Sequence, residues 1–140
     1  MIRQLSVFIE NVPGSLMQVT KCLKYAGINL MAISSFDSPE FGILRMIVDQ
    51  PEEAEGILKR NHFMVRVGTV LGVSVADEPG ALNKMLEIMA QGNISVNYIY
   101  SFISEIDRSP IMIFHTEYTE EARQLLKRNG MHVVDNLKEL

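Results

Sequence analysis

Asn11-Val12-Pro13-Gly14-Ser15-Leu16 and Asp77-Glu78-Pro79-Gly80-Ala81-Leu82 are one short pattern written twice, 66 positions apart. The offset holds outward from it. Leu5 meets Leu71, Val7 meets Val73, Ile28 meets Ile94, Ile33 meets Ile99, and Ser35-Phe36 meets Ser101-Phe102. Further on the offset becomes 68, so that Glu52-Glu53-Ala54 meets Glu120-Glu121-Ala122 and Leu58-Lys59-Arg60-Asn61 meets Leu126-Lys127-Arg128-Asn129. The two added residues fall near Glu105 to Pro110, a polar stretch with turn formers. Self-similarity at a fixed spacing marks a structural repeat, and a loop is where such a repeat tolerates insertion.

Around the motif each half reads alike. Leu5, Val7 and Ile9 alternate with Ser6, Phe8 and Glu10, a strand period, and Pro13-Gly14 breaks it. Leu16, Val19, Thr20 and Leu23 then make one face of a helix over 15–26, with Gly27 where a left-handed cap belongs. Strands follow over 28–36 and 41–48, joined by a turn at Asp37-Ser38-Pro39-Glu40. Pro51 opens a second helix with Glu52 and Glu53 at its positive end; Lys59-Arg60 and a capping Asn61 close it. A strand over 63–67 completes βαββαβ. The second half predicts strands over 70–76, 94–104, 111–118 and 131–134 and helices over 81–91 and 120–128. Gly68-Thr69 is the expected linker between domains 1–68 and 69–140.

This order predicts an α+β fold of two ferredoxin-like units, each an antiparallel sheet with both helices on one face. In the third strand Phe41, Ile43 and Ile47 take one parity and Leu44, Met46 and Val48 the other; 111–114 is apolar on both parities too. Strands apolar on both sides are covered on both sides, so the helix-free face is expected to meet another sheet or another subunit. The nine methionines suit adaptable packing there or in the core.

Composition narrows the function. The chain has 140 residues, 47% hydrophobic and 21% charged, with net charge −4. An acidic balance argues against nucleic acid, because phosphate recognition needs a basic surface. Tyr98, Tyr100 and Phe102 share one strand face but lack basic neighbours, so packing is favoured over base stacking. No apolar run approaches the roughly 20 residues of a membrane span, and no signal peptide is visible, so a cytoplasmic soluble protein is expected. With Cys22 alone no intrachain disulfide forms; it answers to Ile88 in the repeat, which points to packing. His62, His115 and His132 show no metal-ligand spacing, and no cofactor motif or catalytic triad order appears.

The paired Pro-Gly motifs, with Gly27-Ile28-Asn29-Leu30 after the first helix and Gly92-Asn93-Ile94-Ser95-Val96 after the third, make the whole chain resemble the ACT domain, a βαββαβ module of amino-acid-responsive regulators. Serine at 95 departs from the asparagine of that pattern. The resemblance implies a stand-alone tandem ACT protein that is no enzyme. It would bind an amino acid or similar metabolite where two units meet, between the loop before the first helix of one and the start of the second strand of its neighbour. The implied ligand residues are 11–16 and 77–82 as quoted, with Asn29, Leu30, Ser95 and Val96. A helix N-terminus offers unpaired N–H groups and a positive dipole to a carboxylate. Gly14 and Gly80 leave room for the ligand, and valine at both should abolish binding with the fold intact. Asn11 can donate and accept, whereas Asp77 would repel a carboxylate, so the Asn11 loop is expected to hold the ligand carboxylate better. The implied partners are that ligand, a second copy in a homodimer, and a regulated enzyme or regulator. The same residues have plainer readings: Pro-Gly as a turn, Asn11 and Asp77 as helix caps, Asn29 and Ser95 as helix-to-strand transitions. A ligand-free accessory subunit of a biosynthetic enzyme is the alternative function, and a small enzyme on this fold is the third.

Overall fold

Leu5 and Val7 are fully buried, as are Leu44 and Met46 opposite them, and the pairing of these four residues sets the first sheet. The computed structural model describes residues 1–140, the side chain of Asp37 excepted. Its elements are β1 Ile2–Glu10, α1 Ser15–Ala26, β2 Leu30–Asp37, β3 Phe41–Val48, α2 Pro51–Arg60, β4 Met64–Ser74, α3 Ala81–Gln91, β5 Tyr98–Ile103, β6 Pro110–His115, α4 Thr119–Arg128 and β7 His132–Val134, with a 3-10 turn at Leu137–Glu139. Two compact units emerge: Arg3–Gly68, and Thr69–Leu140 with Met1–Ile2.

In the first unit the strand order is β2-β3-β1-β4. Directly opposed residues of an antiparallel pair share a face. Leu5 opposite Met46, and Val7 opposite Leu44, therefore point the same way. Val19 and Leu23 of α1 and Ala54 and Leu58 of α2 close over them. In the second unit the order is β5-β6-β4-β7. Leu71 lies opposite Phe114, and Val73 opposite both Met112 and Val133. Met85 and Met89 of α3 and Ala122 and Leu126 of α4 cover that face. Each unit is thus ferredoxin-like, an antiparallel sheet with two helices on one side. Asn61 and Asn129 cap α2 and α4, their Nδ2 atoms donating to the Ile57 and Leu125 carbonyls at 2.8 and 2.9 Å. Cys22 is half buried against the first core.

The alternate parity is only partly apolar, because Arg45 lies on it opposite Ser6 and Ser34. Phe8 and Phe36 both lie opposite Ile43, and Glu10 lies opposite Phe41, all on the helix-free face of the first sheet. Phe36 is 58% and Phe41 49% exposed, whereas Ile47 and Ala32 on the same face are buried. In the second unit Gly72 sits on the helix-free face, opposite Ile113 and Val134. A Cβ there would lie 2.6 Å from Ile2 Cδ1, so glycine makes room for the Ile2 side chain.

Two expectations are corrected. Gly68-Thr69 is no linker, because both residues lie inside β4, which runs unbroken through the strands expected over 63–67 and 70–76. Gly68 has no positive φ, and threonine favours extended backbone, so nothing at these positions stops the strand. The strand expected over 94–104 begins at Tyr98. Asn93 turns left-handed at φ 55° and the Ile94 amide still bonds the Met89 carbonyl, which delays the sheet. Among the described residues no helix is long and apolar enough to cross a membrane.

Asp135, next to β7, accepts from Arg123 Nε and Lys127 Nζ, each at 2.9 Å. The Arg123 bond first, and Lys127 second, hold its carboxyl at about 2 instead of the ordinary 3.8. An acid lowered on folding stabilises the native state above its unfolded value and loses that contribution as pH falls through the folded one. Asp135→Asn should cost about 1 kcal/mol or less at neutral pH, since these charges are partly solvated. Urea unfolding should show the gap to wild type closing between the unfolded value of 3.8 and about 2. The repeat-related Leu58 and Leu126 are both fully buried. Leu58→Ala and Leu126→Ala should each cost about 2–5 kcal/mol in the same measurement.

Candidate functional site

Between β1 and α1 the Val12 carbonyl accepts from the Ser15 amide at 3.3 Å, and between β4 and α3 the Glu78 carbonyl accepts from the Ala81 amide at the same distance. Proline is second in each four-residue turn. Glycine is third, with φ 88° and ψ −6° at Gly14 and φ 89° and ψ −7° at Gly80. These are the angles of a type II turn, whose third position demands a residue that tolerates positive φ. Proline presets the second position, so the Pro-Gly reading as turn chemistry is correct.

The turn hands the chain directly to the helix. Gly14 O accepts from the Gln18 amide, and Gly80 O from the Lys84 amide, each at 3.0 Å. The cap residue is then a glycine, and neither α1 nor α3 has a side-chain cap. Asn11 and Asp77 are therefore not caps, against that plainer reading of them. Asn11 Nδ2 instead donates weakly to the Ser38 carbonyl at 3.4 Å. The N–H groups of Leu16 and Met17, and of Leu82 and Asn83, lie in the first turns at the positive ends of helices that have no side-chain cap. The first turns of α1 and α3 hold no acid, whereas α2 opens with Glu52 and Glu53 and α4 with Glu120 and Glu121.

Each bare helix start borders a cleft. The first, of about 390 Å³, is lined by Asn11, Val12, Gly14, Ser15 and Leu16, with Glu10, Met17, Ser35 and Phe36. The second, of about 500 Å³, is lined by Asp77, Glu78, Gly80, Ala81 and Leu82, with Asn83, Ile103 and Met112. Pro13 and Pro79 line neither and act through the turn. Asn29 and Leu30 stand apart from the first cleft. Asn29 N donates to Asp49 Oδ1 at 2.9 Å and its carbonyl accepts from the Asp49 amide at 3.1 Å, which ties it to the far end of the sheet. From Leu30 to the cleft residue Ser35 an extended strand covers about 17 Å. Ser95 and Val96 stand likewise at the start of the segment whose far end, Ile103, lines the second cleft. Within one unit, then, the sequence-predicted site residues fall into two groups at opposite sheet ends.

Ser35, Phe36, Glu10 and Met17 were not anticipated in the first cleft, nor Ile103 and Met112 in the second. The repeat of Ser35-Phe36 as Ser101-Phe102 was a visible signal. What placed it beside residue 11 was the register of Phe36 on Ile43 and Ile9 on Gly42, which no single strand encodes. The clefts differ in charge: Glu10 lines the first, Asp77 and Glu78 the second.

One histidine, His115, is engaged away from the clefts. His115 stacks on Tyr98 with ring centroids 5.3 Å apart, and its Nδ1 lies 3.1 Å from Asn97 Oδ1. Among the described residues no three His, Cys, Asp or Glu side chains converge to hold a metal. Lys59 pairs with Glu55 at 2.6 Å and Lys127 with Asp135 at 2.9 Å, so these helix-end lysines are held by nearby acids.

A family model described as the ACT domain pair matches residues 1–140. Among solved structures, protein BT0572 from Bacteroides thetaiotaomicron is 34% identical, with a TM-score of 0.89 over 95% of this chain and 91% of that one. The regulatory subunit of aspartate kinase from Thermus thermophilus, in its ligand-free form, is 20% identical with a TM-score of 0.67, covering 90% of this chain and 91% of that one. The regulatory subunit of aspartate kinase from Thermus flavus is 17% identical with a TM-score of 0.62, covering 90% of each. At such identity these two show the shared fold alone. No curated protein matches the chain by sequence.

The glycine conformations overturn one expectation: valine at 14 and 80 cannot leave the fold untouched, because a β-branched side chain is strained at positive φ. Even Gly14→Ala or Gly80→Ala should cost about 1–2 kcal/mol. Asn11→Ala and Asp77→Ala, which remove no cap, should each stay within about 0.5 kcal/mol of wild type. Chemical denaturation of the four variants checks both statements.

Proposed function

The chain belongs to the ACT domain pair family, and from that premise we propose that it is a regulatory sensor of an amino acid or similar small metabolite. One observation carries the reading: two type II turns each deliver an uncapped, acid-free helix start to the edge of a cleft. Such a start favours a carboxylate through backbone N–H groups and the helix dipole together. Glu10, on the same cleft, offers an acceptor for the ligand's ammonium group. Asn29-Leu30 and Ser95-Val96 lie at the other sheet end of their units. They would complete the site from a different ACT unit, in the simplest case one of a second copy. We take 1–68 and 69–140 as the two ACT domains, a homodimer as the working form and the cytoplasm as its place. The mechanism is a ligand that binds one assembly more tightly than another and so biases which forms, the change being read by an enzyme or regulator.

The fold shared with two aspartate kinase regulatory subunits supports a downstream enzyme of amino-acid metabolism. A second reading, an accessory subunit without a ligand of its own, is favoured by the exposed Phe36 and Phe41 on the helix-free sheet face, a surface suited to assembly.

Thermal unfolding of the full chain with each of the twenty amino acids at millimolar concentration tests the reading. A ligand of the native state at a hundredfold excess over Kd stabilises by about 2.7 kcal/mol. A shift with one or a few related amino acids is expected; no shift with any of them favours the accessory subunit. For the amino acid that binds, Asn11→Ala should weaken affinity more than Asp77→Ala. Equal losses in calorimetric titration would show that the two loops do not differ.

A further inference from the structure

The first unit has another cleft beside the one at residue 11, of about 300 Å³, lined by Phe8, Ile9, Glu10, Ser15, Gln18, His62 and Phe63. It shares Ile9, Glu10 and Ser15 with the first cleft, so the two meet at the start of α1. Its new polar groups come from the second turn of α1, at Gln18, and from the α2–β4 connection, at His62. Phe8, with Arg66 6.0 Å from its ring centroid, and Phe63 supply aromatic walls.

His62 stands in an unfavourable place. The His62 amide bonds the Lys59 carbonyl and the Phe63 amide the Leu58 carbonyl, each at 3.0 Å, closing α2 with a left-handed residue at φ 66°. Glycine is the residue suited to that position. The second unit supplies it: Gly130, at φ 77°, makes the same bond to Lys127, and Met131 bonds Leu126. One chain therefore solves the same helix end twice, with glycine in the second unit and, in the first, with a histidine that lines a cleft. The other polar members change as well. Across the repeat Glu10, Ser15 and Gln18 answer to Ala76, Ala81 and Lys84. The polar set Glu10, Ser15, Gln18 and His62 thus belongs to the first unit alone.

We propose that this second cleft is the side-chain subsite of the amino-acid ligand and selects a hydrogen-bonding side chain over its aliphatic isostere. The inference rests on the amino-acid reading of the first cleft and names the class of ligand. With the carboxylate at the start of α1 and the ammonium at Glu10, where the clefts meet, the side chain extends towards Gln18 and His62. Both residues can donate and accept, so a hydroxyl or amide is matched while a methyl group leaves their polar atoms unpaired. A site built to bond a polar group rejects the apolar analogue far more strongly than a greasy pocket separates methylenes.

The test uses two near-isosteric pairs, threonine with valine and asparagine with leucine, titrated calorimetrically into the full chain as wild type, His62→Gly and Gln18→Leu. Wild type should bind the polar member of at least one pair about tenfold or more tighter. That ratio should fall towards one in both variants, chiefly by loss of affinity for the polar member. His62→Gly should also raise the thermal midpoint of the free protein by a few degrees, which separates a lost subsite from a damaged fold. Binding of an amino acid without polar preference, or with a preference that survives both substitutions, overturns the subsite while leaving the sensor reading in place. No binding of any amino acid overturns both.

Discussion

Both units turn on a backbone requirement at a single residue. A chain leaving the end of the inner strand β1 at Glu10 must reverse and enter a helix within four residues. The turn that does so places its third residue at φ near +88°, where side chains are strained. Glycine at 14 and 80 meets that demand, and proline before it narrows the alternatives open to the unfolded chain. Two consequences follow from the same atoms. The helix axis is set against the sheet, so that Val19 and Leu23, or Met85 and Met89, meet the strands. The cap position, being glycine, has no side chain to quiet the first N–H groups. A solution to a folding problem leaves a polar, positive surface unsatisfied at the edge of a cleft.

Most of the fold could be read from the sequence because each local signal agreed with the repeat. Helices α1 and α3 and strand β3 lie where their periodicity put them, bounded by Pro-Gly, by Gly27 at φ 69° and by a proline-opened helix. The failures came where the signal was a composition and not a geometry. Gly68-Thr69 looked like a linker since glycine often marks a break, but a glycine with ordinary extended dihedrals interrupts nothing. Residues 94–97 alternate like a strand, yet the left-handed Asn93 uses that stretch to return from the helix before pairing starts at Tyr98. In both cases the deciding quantity was a dihedral angle, which side-chain pattern does not report.

The site was legible to a different depth. The loop residues 11–16 and 77–82 were found through turn chemistry and do line clefts, prolines apart. Their neighbours across the cleft were not found, because Phe36 and Ile103 come to the loops through strand register, a relation between distant segments. Asn29 and Ser95 are a third case. They were named through family resemblance, and in their own units they stand at the sheet end away from the cleft. A role for them in the same site requires a second unit, so for these residues function and assembly are one question.

The repeat also separates what folding demands from what a site demands, within one chain and without any other sequence. Where the two units agree, the backbone or the core explains the agreement: Pro13 and Pro79 in the turn, Leu58 and Leu126 in the cores, Asn61 and Asn129 at the helix ends. Where they differ beside the clefts, neither core packing nor helix capping explains the difference. Asn11 faces Asp77 in the alignment, Val12 faces Glu78, and Glu10 faces Ala76, and none of these side chains caps a helix. His62 against Gly130 is the sharpest of these pairs, because there the fold has a preference and the first unit departs from it. Two units free to differ at their clefts, and bound to agree elsewhere, present unlike electrostatics to a ligand: one acid at the first cleft, two at the second. A carboxylate is repelled less at the first, so the same fold repeated twice need not be the same receptor repeated twice.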